Sequence, residues 1–193
     1  MSKKNGASRG LANPSRLKPL DPNDKQMLRV VIETPKGSRN KFAFNADEHI
    51  FELKTVLPAG MAFPYDFGFV PSTEADDGDP VDVLVLMDEP AFPGCVLTCR
   101  PIGVIEGEQI EKKDKNKNKG KNKDKVRNDR IVAVEQGAHS WADIKNVDDL
   151  GKHFLQELEE FFVEYHRLSE REYRVLNVKG PGSARKLVKS SMQ

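Results

Sequence analysis

The sequence predicts a mainly β chain with helix, an α+β domain in which a closed or nearly closed barrel carries a long helix near its C-terminus. Three observations predict it. Short β-branched or apolar runs follow one another from residue 27 to 106, divided by turn residues, with no helical periodicity between them. Eight apolar residues, from Leu150 to Leu168, then recur at three and four spacing. Finally, 193 residues with 37% hydrophobic content suffice for one core, so one domain with appendages is expected.

Residues 1–26 are rich in Ser, Pro, Gly, Asn and Lys and offer little to bury, which predicts a basic, loosely ordered arm. The barrel domain is expected over 27–182, and 183–193 as a tail or short helix. The alternating run at 27–34 is the first strand, stopped by Pro35-Lys36-Gly37-Ser38. Residues 41–45 are expected to fold back on it as a hairpin partner, Lys41 and Ala43 on one face and Phe42 and Phe44 on the other. A third strand is expected at 49–57, and the aromatic stretch 58–70 is too broken by Gly and Pro for a helix. Strongly apolar strands follow at 81–87 and 94–106, separated by Pro90 and Pro93.

Residues 111–125 interleave eight Lys with Asn, Gly and Asp, so 112–125 is expected to be a Lys-rich surface loop, with a polyanion-binding tether as the alternative. Strand character returns at 126–135. The long amphipathic helix is expected over 148–168, capped by Asn146 or Asp148, with Glu157, Glu159 and Glu160 on its solvated side. It should cover one side or mouth of the barrel.

Composition excludes several functions. A formal net charge of +1 argues against a surface devoted to nucleic acid or acidic lipid. The first thirty residues carry basic residues but no apolar core of a signal peptide, and no run approaches the roughly twenty apolar residues that span a bilayer. Cys95 and Cys99 read as buried, reduced thiols of a cytoplasmic protein, and no second ligand pair follows them to make a zinc site.

Acid is concentrated instead. Between Thr55 and Cys99 there is no Lys or Arg, while Asp66, Glu74, Asp76, Asp77, Asp79, Asp82, Asp88 and Glu89 all fall there. In Asp77-Gly78-Asp79-Pro80-Val81-Asp82, Gly lets the backbone bend and Pro fixes φ, so three carboxylates gather at the start of an apolar strand. Such a cluster needs a hard divalent ion, and oxygen-only ligation suits Mg²⁺. The competing reading is a solvated acidic turn. An EF-hand is excluded, because no Glu stands at the twelfth position and the chain continues as a strand.

The acidic segment closely resembles the signature of the soluble family I inorganic pyrophosphatases. The resemblance also takes in Val31-Ile32-Glu33-Thr34-Pro35, Asn40-Lys41, the stretch from Phe63 to Phe69, Cys99-Arg100-Pro101-Ile102-Gly103-Val104 and Phe161-Phe162-Val163-Glu164-Tyr165, in the family's order. It implies a five-stranded OB-like barrel that uses Mg²⁺ to hydrolyse pyrophosphate to two phosphates, in a homo-oligomer, dimer or hexamer. On the matching positions, Asp77 and Asp82 would hold metal, Asp79 would take the proton of the attacking water, and Glu33 would reach metal through water. Lys41 and Tyr165 would bind phosphate.

Other positions depart from the family pattern. Ala43 stands where a metal-associated Glu is usual, and Thr55 where a phosphate-binding Arg is usual, with Lys54 beside it as a substitute. Phe63 and Phe67 replace tyrosines. Asn128-Asp129-Arg130 stands for Asp-x-Lys, so Arg130 inherits the phosphate contact, Asn128 turns a metal carboxylate into an amide, and Asp129 substitutes only if the backbone is irregular. The upstream acid corresponds to Glu108 or Glu111, and His166 replaces a Lys, with weaker positive charge at neutral pH. Two other functions stay open: a phosphate- or nucleotide-binding module without turnover, and a hydrolase of another phosphoanhydride.

Overall fold

Leu28–Thr34, the first strand (β1), is buried along nearly its whole length, with Val30, Val31 and Ile32 at 0% exposure. Burial on both faces demands paired edges, because an unpaired backbone amide away from water is costly. The computed structural model describes residues 13–111 and 125–193. The remaining strands are β2 Asn40–Asn45, β3 Ile50–Val56, β4 Asp66–Phe69, β5 Asp82–Leu86, β6 Val96–Glu111, β7 Lys125–Arg127, β8 Arg130–Glu135 and β9 Arg171–Lys179. The helices are α1 Gly151–Leu168 and α2 Pro181–Ser191.

Five strands close on themselves in the order β1-β4-β5-β8-β6, with β6 returning to β1. This is the expected five-stranded barrel. All its pairings are antiparallel except β5 with β8, which run parallel and set Asp82 opposite Arg130. Beyond the barrel, β6 continues to pair with β7 and β9. Alternate residues of one strand serve two apolar clusters: Val83 and Val85 pack with Ala184 and Val188 of α2, and Leu84 and Leu86 with Leu158 and Phe162 of α1. Among the described residues no helix is long and apolar enough to cross a membrane.

Several expectations need correction. β2 does not pair with β1, whose edges are taken by β4 and β6; it pairs with β3 in a separate two-stranded sheet. Side chains make the link to β1 instead, since Thr34 Oγ1 and Glu33 Oε1 accept the amides of Phe42 and Phe44 at 3.1 and 2.8 Å. A bulge between Lys41 and Phe42 breaks the expected alternation. Within the aromatic stretch lies β4, where Gly68 presses so close to β1 that a Cβ would sit 2.0 Å from the Val31 carbonyl oxygen. The strand expected at 126–135 divides at Asn128 and Asp129 into β7 and β8. β9 was not expected. The helix begins as a 3-10 turn, Val147–Leu150, with Asn146 and Asp149 forming a capping box, and continues as α1. Of the arm, residues 13–26 include a 3-10 turn, Pro14–Arg16, while 1–12 and loop residues 112–124 lie outside the described part.

Candidate active site

The acidic loop is shaped by its own backbone. The Ala75 amide donates to the Asp79 carbonyl at 2.8 Å, Gly78 bends the chain with φ +86°, and the Asp79 amide donates to Asp77 Oδ1 at 3.3 Å. Thr73 anchors the exit, its hydroxyl accepting the Val81 amide and donating to the Val70 carbonyl. Asp82 therefore enters β5 at the barrel rim, beside Arg130 on β8.

A cavity of about 330 Å³ opens here. Asp77, Asp79 and Asp82 line it together with Lys41 and Arg130, and α1 contributes Tyr165 and His166. Phe63, Phe67 and Phe162 form an apolar wall, and Asn128 also reaches the lining. A second cavity, of about 490 Å³, shares Lys41, Asp79 and Asp82 with the first and adds Glu33 and Lys54. Lys41 bridges the two, 3.3 Å from Glu33 Oε2 and 4.3 Å from the Phe67 ring centre. Exposed Lys54 pairs with half-buried Glu52.

Two expected residues are not brought in. Glu108 turns away to Lys125 at 2.8 Å, and the neighbouring Gln109 takes the place on the cavity face. Asp129 accepts the Gly107 amide at 3.0 Å and pairs with Arg127 at 2.9 Å. Side chains still alternate through the break between β7 and β8, so Asn128 and Arg130 face the cavity and Asp129 a separate groove. The side chain of Glu111 lies outside the described part. Gln109 and Arg171 line the cavity and escaped the sequence reading. Period two counted to the end of β6 would have found Gln109, but Arg171 depends on the unanticipated β9.

Enclosure sets the electrostatics. Burial pushes Asp82 up to about 7, against the pull of Arg130 and Lys41, with Glu33 and Asp77 adding repulsion. Burial also raises Asp77, against the Asp79 amide that donates to it and with the Asp79 charge adding repulsion. His166 is driven the other way, down to about 3, by burial first and Arg130 second. It is therefore neutral at pH 7, not the weak cation expected. Its Nδ1 lies 2.7 Å from the Phe162 carbonyl and its Nε2 3.3 Å from Arg130 Nη2. The Arg130 guanidinium is sandwiched between Phe162 and Tyr173, 4.3 and 4.5 Å from the ring centres, and its Nε is buried without a hydrogen-bond partner among the described residues. Asn128 Nδ2 donates to Gln109 Oε1 at 3.1 Å, so that wall is a pair of neutral amides.

Relatives share this arrangement of strands and sequence. The chain is 38% identical over 167 residues to an inorganic pyrophosphatase of Synechocystis, covering 86% of this chain and 90% of that one. It is 33% identical over 168 residues to that of Methanosarcina mazei, covering 87% and 91%. The crystal structure of inorganic pyrophosphatase from Thermus thermophilus superimposes with a TM-score of 0.80 at 29% identity, over 94% of this chain and 97% of that one. A sequence profile for inorganic pyrophosphatase matches residues 30–193, and with these likenesses it establishes that the chain belongs to the inorganic pyrophosphatase family.

Proposed function

We propose that this cavity hydrolyses pyrophosphate to two phosphates with Mg²⁺. The observation that carries the proposal is the meeting of Asp77, Asp79 and Asp82 with Lys41, Arg130 and Tyr165 around one opening. Among the described residues, no group of three or more His, Cys, Asp or Glu is gathered tightly enough to hold a metal ion unaided. Mg²⁺ does not require one, since one or two carboxylates with waters and substrate phosphates are its usual shell. The half-buried Asp82 carboxyl, whose negative charge Arg130 and Lys41 offset only in part, fits such an ion.

Asp77 and Asp82 would hold Mg²⁺, with Glu33 reaching it through water from the adjoining cavity. Bound Mg²⁺ would neutralise phosphate charge and lower the pKa of the attacking water. Asp79 accepts that water's proton as general base. Lys41, Arg130 and the Tyr165 hydroxyl hold phosphate oxygens, Arg130 through a planar donor fork. The phenylalanine wall excludes bulk water, which strengthens each of these contacts. Lys54 joins from the second cavity when an anion competes with Glu52.

The same reading takes the chain as a cytoplasmic homo-oligomer, dimer or hexamer, with support from its free cysteines and from exposed Leu53, Val56 and Phe92. The amide pair Gln109 and Asn128 favours a second reading, a phosphate-binding module without turnover, because it contributes no charge to a metal. Phosphate release from pyrophosphate with Mg²⁺ decides between them. The wild type is expected to turn over and Asp79→Asn to lose about a hundredfold or more. Equal rates in the two would remove the hydrolase.

A further inference from the structure

We propose that His166 is a positioning residue: as a neutral imidazole it accepts a hydrogen bond from Arg130 and keeps the guanidinium turned toward Asp82 and the bound anion. The inference rests on the pyrophosphate reading of this cavity.

The two contacts of the ring admit one tautomer. A carbonyl oxygen only accepts, so the 2.7 Å contact to Phe162 places the proton on Nδ1. A guanidinium only donates, so the 3.3 Å contact from Arg130 Nη2 falls on the lone pair of Nε2. An imidazolium would lose that acceptor and set a second cation against the first. The ring plane is fixed as well, stacked on Tyr173 at 4.6 Å and 18° and edge-on to Tyr165 at 5.2 Å.

The guanidinium is thereby held on three sides. Phe162 and Tyr173 cover its faces, and Nη1 donates to the Asn128 carbonyl at 3.3 Å. That carbonyl also accepts the Tyr173 hydroxyl at 3.2 Å, which ties the stacking ring to the same anchor. His166 supplies the remaining in-plane constraint. Left over are the second hydrogens of Nη1 and Nη2 and that of Nε, which is buried, without a hydrogen-bond partner among the described residues and 3.7 Å from Asp82 Oδ2, as the donors available to phosphate oxygens. His166 stands on α1, and its Arg130 contact ties that helix to the barrel strand that carries Arg130.

Affinity for methylenediphosphonate, a pyrophosphate analogue whose P–C–P bridge is not hydrolysed, measured by calorimetry on the full chain with Mg²⁺, tests this with His166→Leu and His166→Gln, alone and with Arg130→Ala. His166→Leu is expected to weaken binding about tenfold to a hundredfold, the size of a hydrogen bond to a charged group. The amide oxygen of His166→Gln can replace Nε2 and should restore binding to within about threefold, whereas with Arg130→Ala the leucine variant should change it by less than about twofold. Imidazole ¹⁵N shifts should report the neutral Nδ1–H form at pH 7. His166→Asn, too short to reach Arg130, is the second truncation should the leucine variant not fold. An equal loss in the Arg130→Ala background, a charged imidazole, or a glutamine variant as weak as leucine with unchanged unfolding would overturn the role. A wild type that neither binds the diphosphonate nor releases phosphate from pyrophosphate would overturn the functional reading, and this one with it.

Discussion

Asp82 and Arg130 face each other across the parallel ladder of β5 and β8, and their side chains stop 3.7 Å apart, Oδ2 to Nε. That separation is an ion pair but not a hydrogen bond. The unsatisfied donor therefore stays available, and the acid stays incompletely neutralised. Ligand binding can relieve both.

Replacing Arg130 by lysine keeps the charge and removes the fork. Affinity for the non-hydrolysed analogue methylenediphosphonate should fall about tenfold, because a point charge cannot take two oxygens at once or stack between Phe162 and Tyr173. Calorimetric titration of the variant checks this. An unchanged affinity would show that charge alone suffices.

Mg²⁺ should stabilise the fold by mass action through Asp82. At a concentration about a hundred times its dissociation constant, the ion adds about 3 kcal/mol. The thermal unfolding midpoint of the wild type should therefore rise with Mg²⁺, and that of Asp82→Asn should not. A similar rise in both would move the ion elsewhere.

Gly68 and Gly78 should respond differently to alanine. At Gly68 the new Cβ would meet the Val31 carbonyl at 2.0 Å, so β1 and β4 must separate, at a cost of about 3 kcal/mol or more. At Gly78 no atom lies within 4 Å, and only the left-handed backbone, φ +86°, resists, at about 1–2 kcal/mol. Urea midpoints should rank the two variants in that order.

His166 should make the protein acid-sensitive. Its folded value, about 3, lies below the ordinary histidine value of 6.5, so the unfolded chain binds the proton more readily. This contribution is fully present above about pH 6.5 and is lost as pH falls toward 3, on the order of a few kcal/mol. Urea unfolding between pH 7 and 4 should lose stability faster in the wild type than in His166→Gln.

The barrel strands were legible because their burial on both faces leaves unbroken β-branched runs, as in β1, β5 and β8. α1 was legible through its three and four spacing. β9 was not, because it is mostly exposed and charge-rich, with Tyr173 its one buried residue. The partner of β2 was hidden for another reason: which edges of β1 are free is decided by β4 and β6, far along the chain. In the site, Asp77, Asp79 and Asp82, placed near one another by their spacing, line one cavity with Lys41, Arg130 and Tyr165, which only the resemblance singled out. Glu108 was misjudged by one residue, and in a strand one residue is a change of face. The protonation of His166 depends on burial and on Arg130, neither of which a neighbouring letter reveals.

The ring of strands also sets an order of events during folding. β5 must lie alongside β8 before Asp82 and Arg130 become neighbours. Such sequence-distant contacts form slowly and together. A half-folded chain thus carries all the chemical groups and none of their juxtaposition, and competence arrives only with the last seam of the barrel.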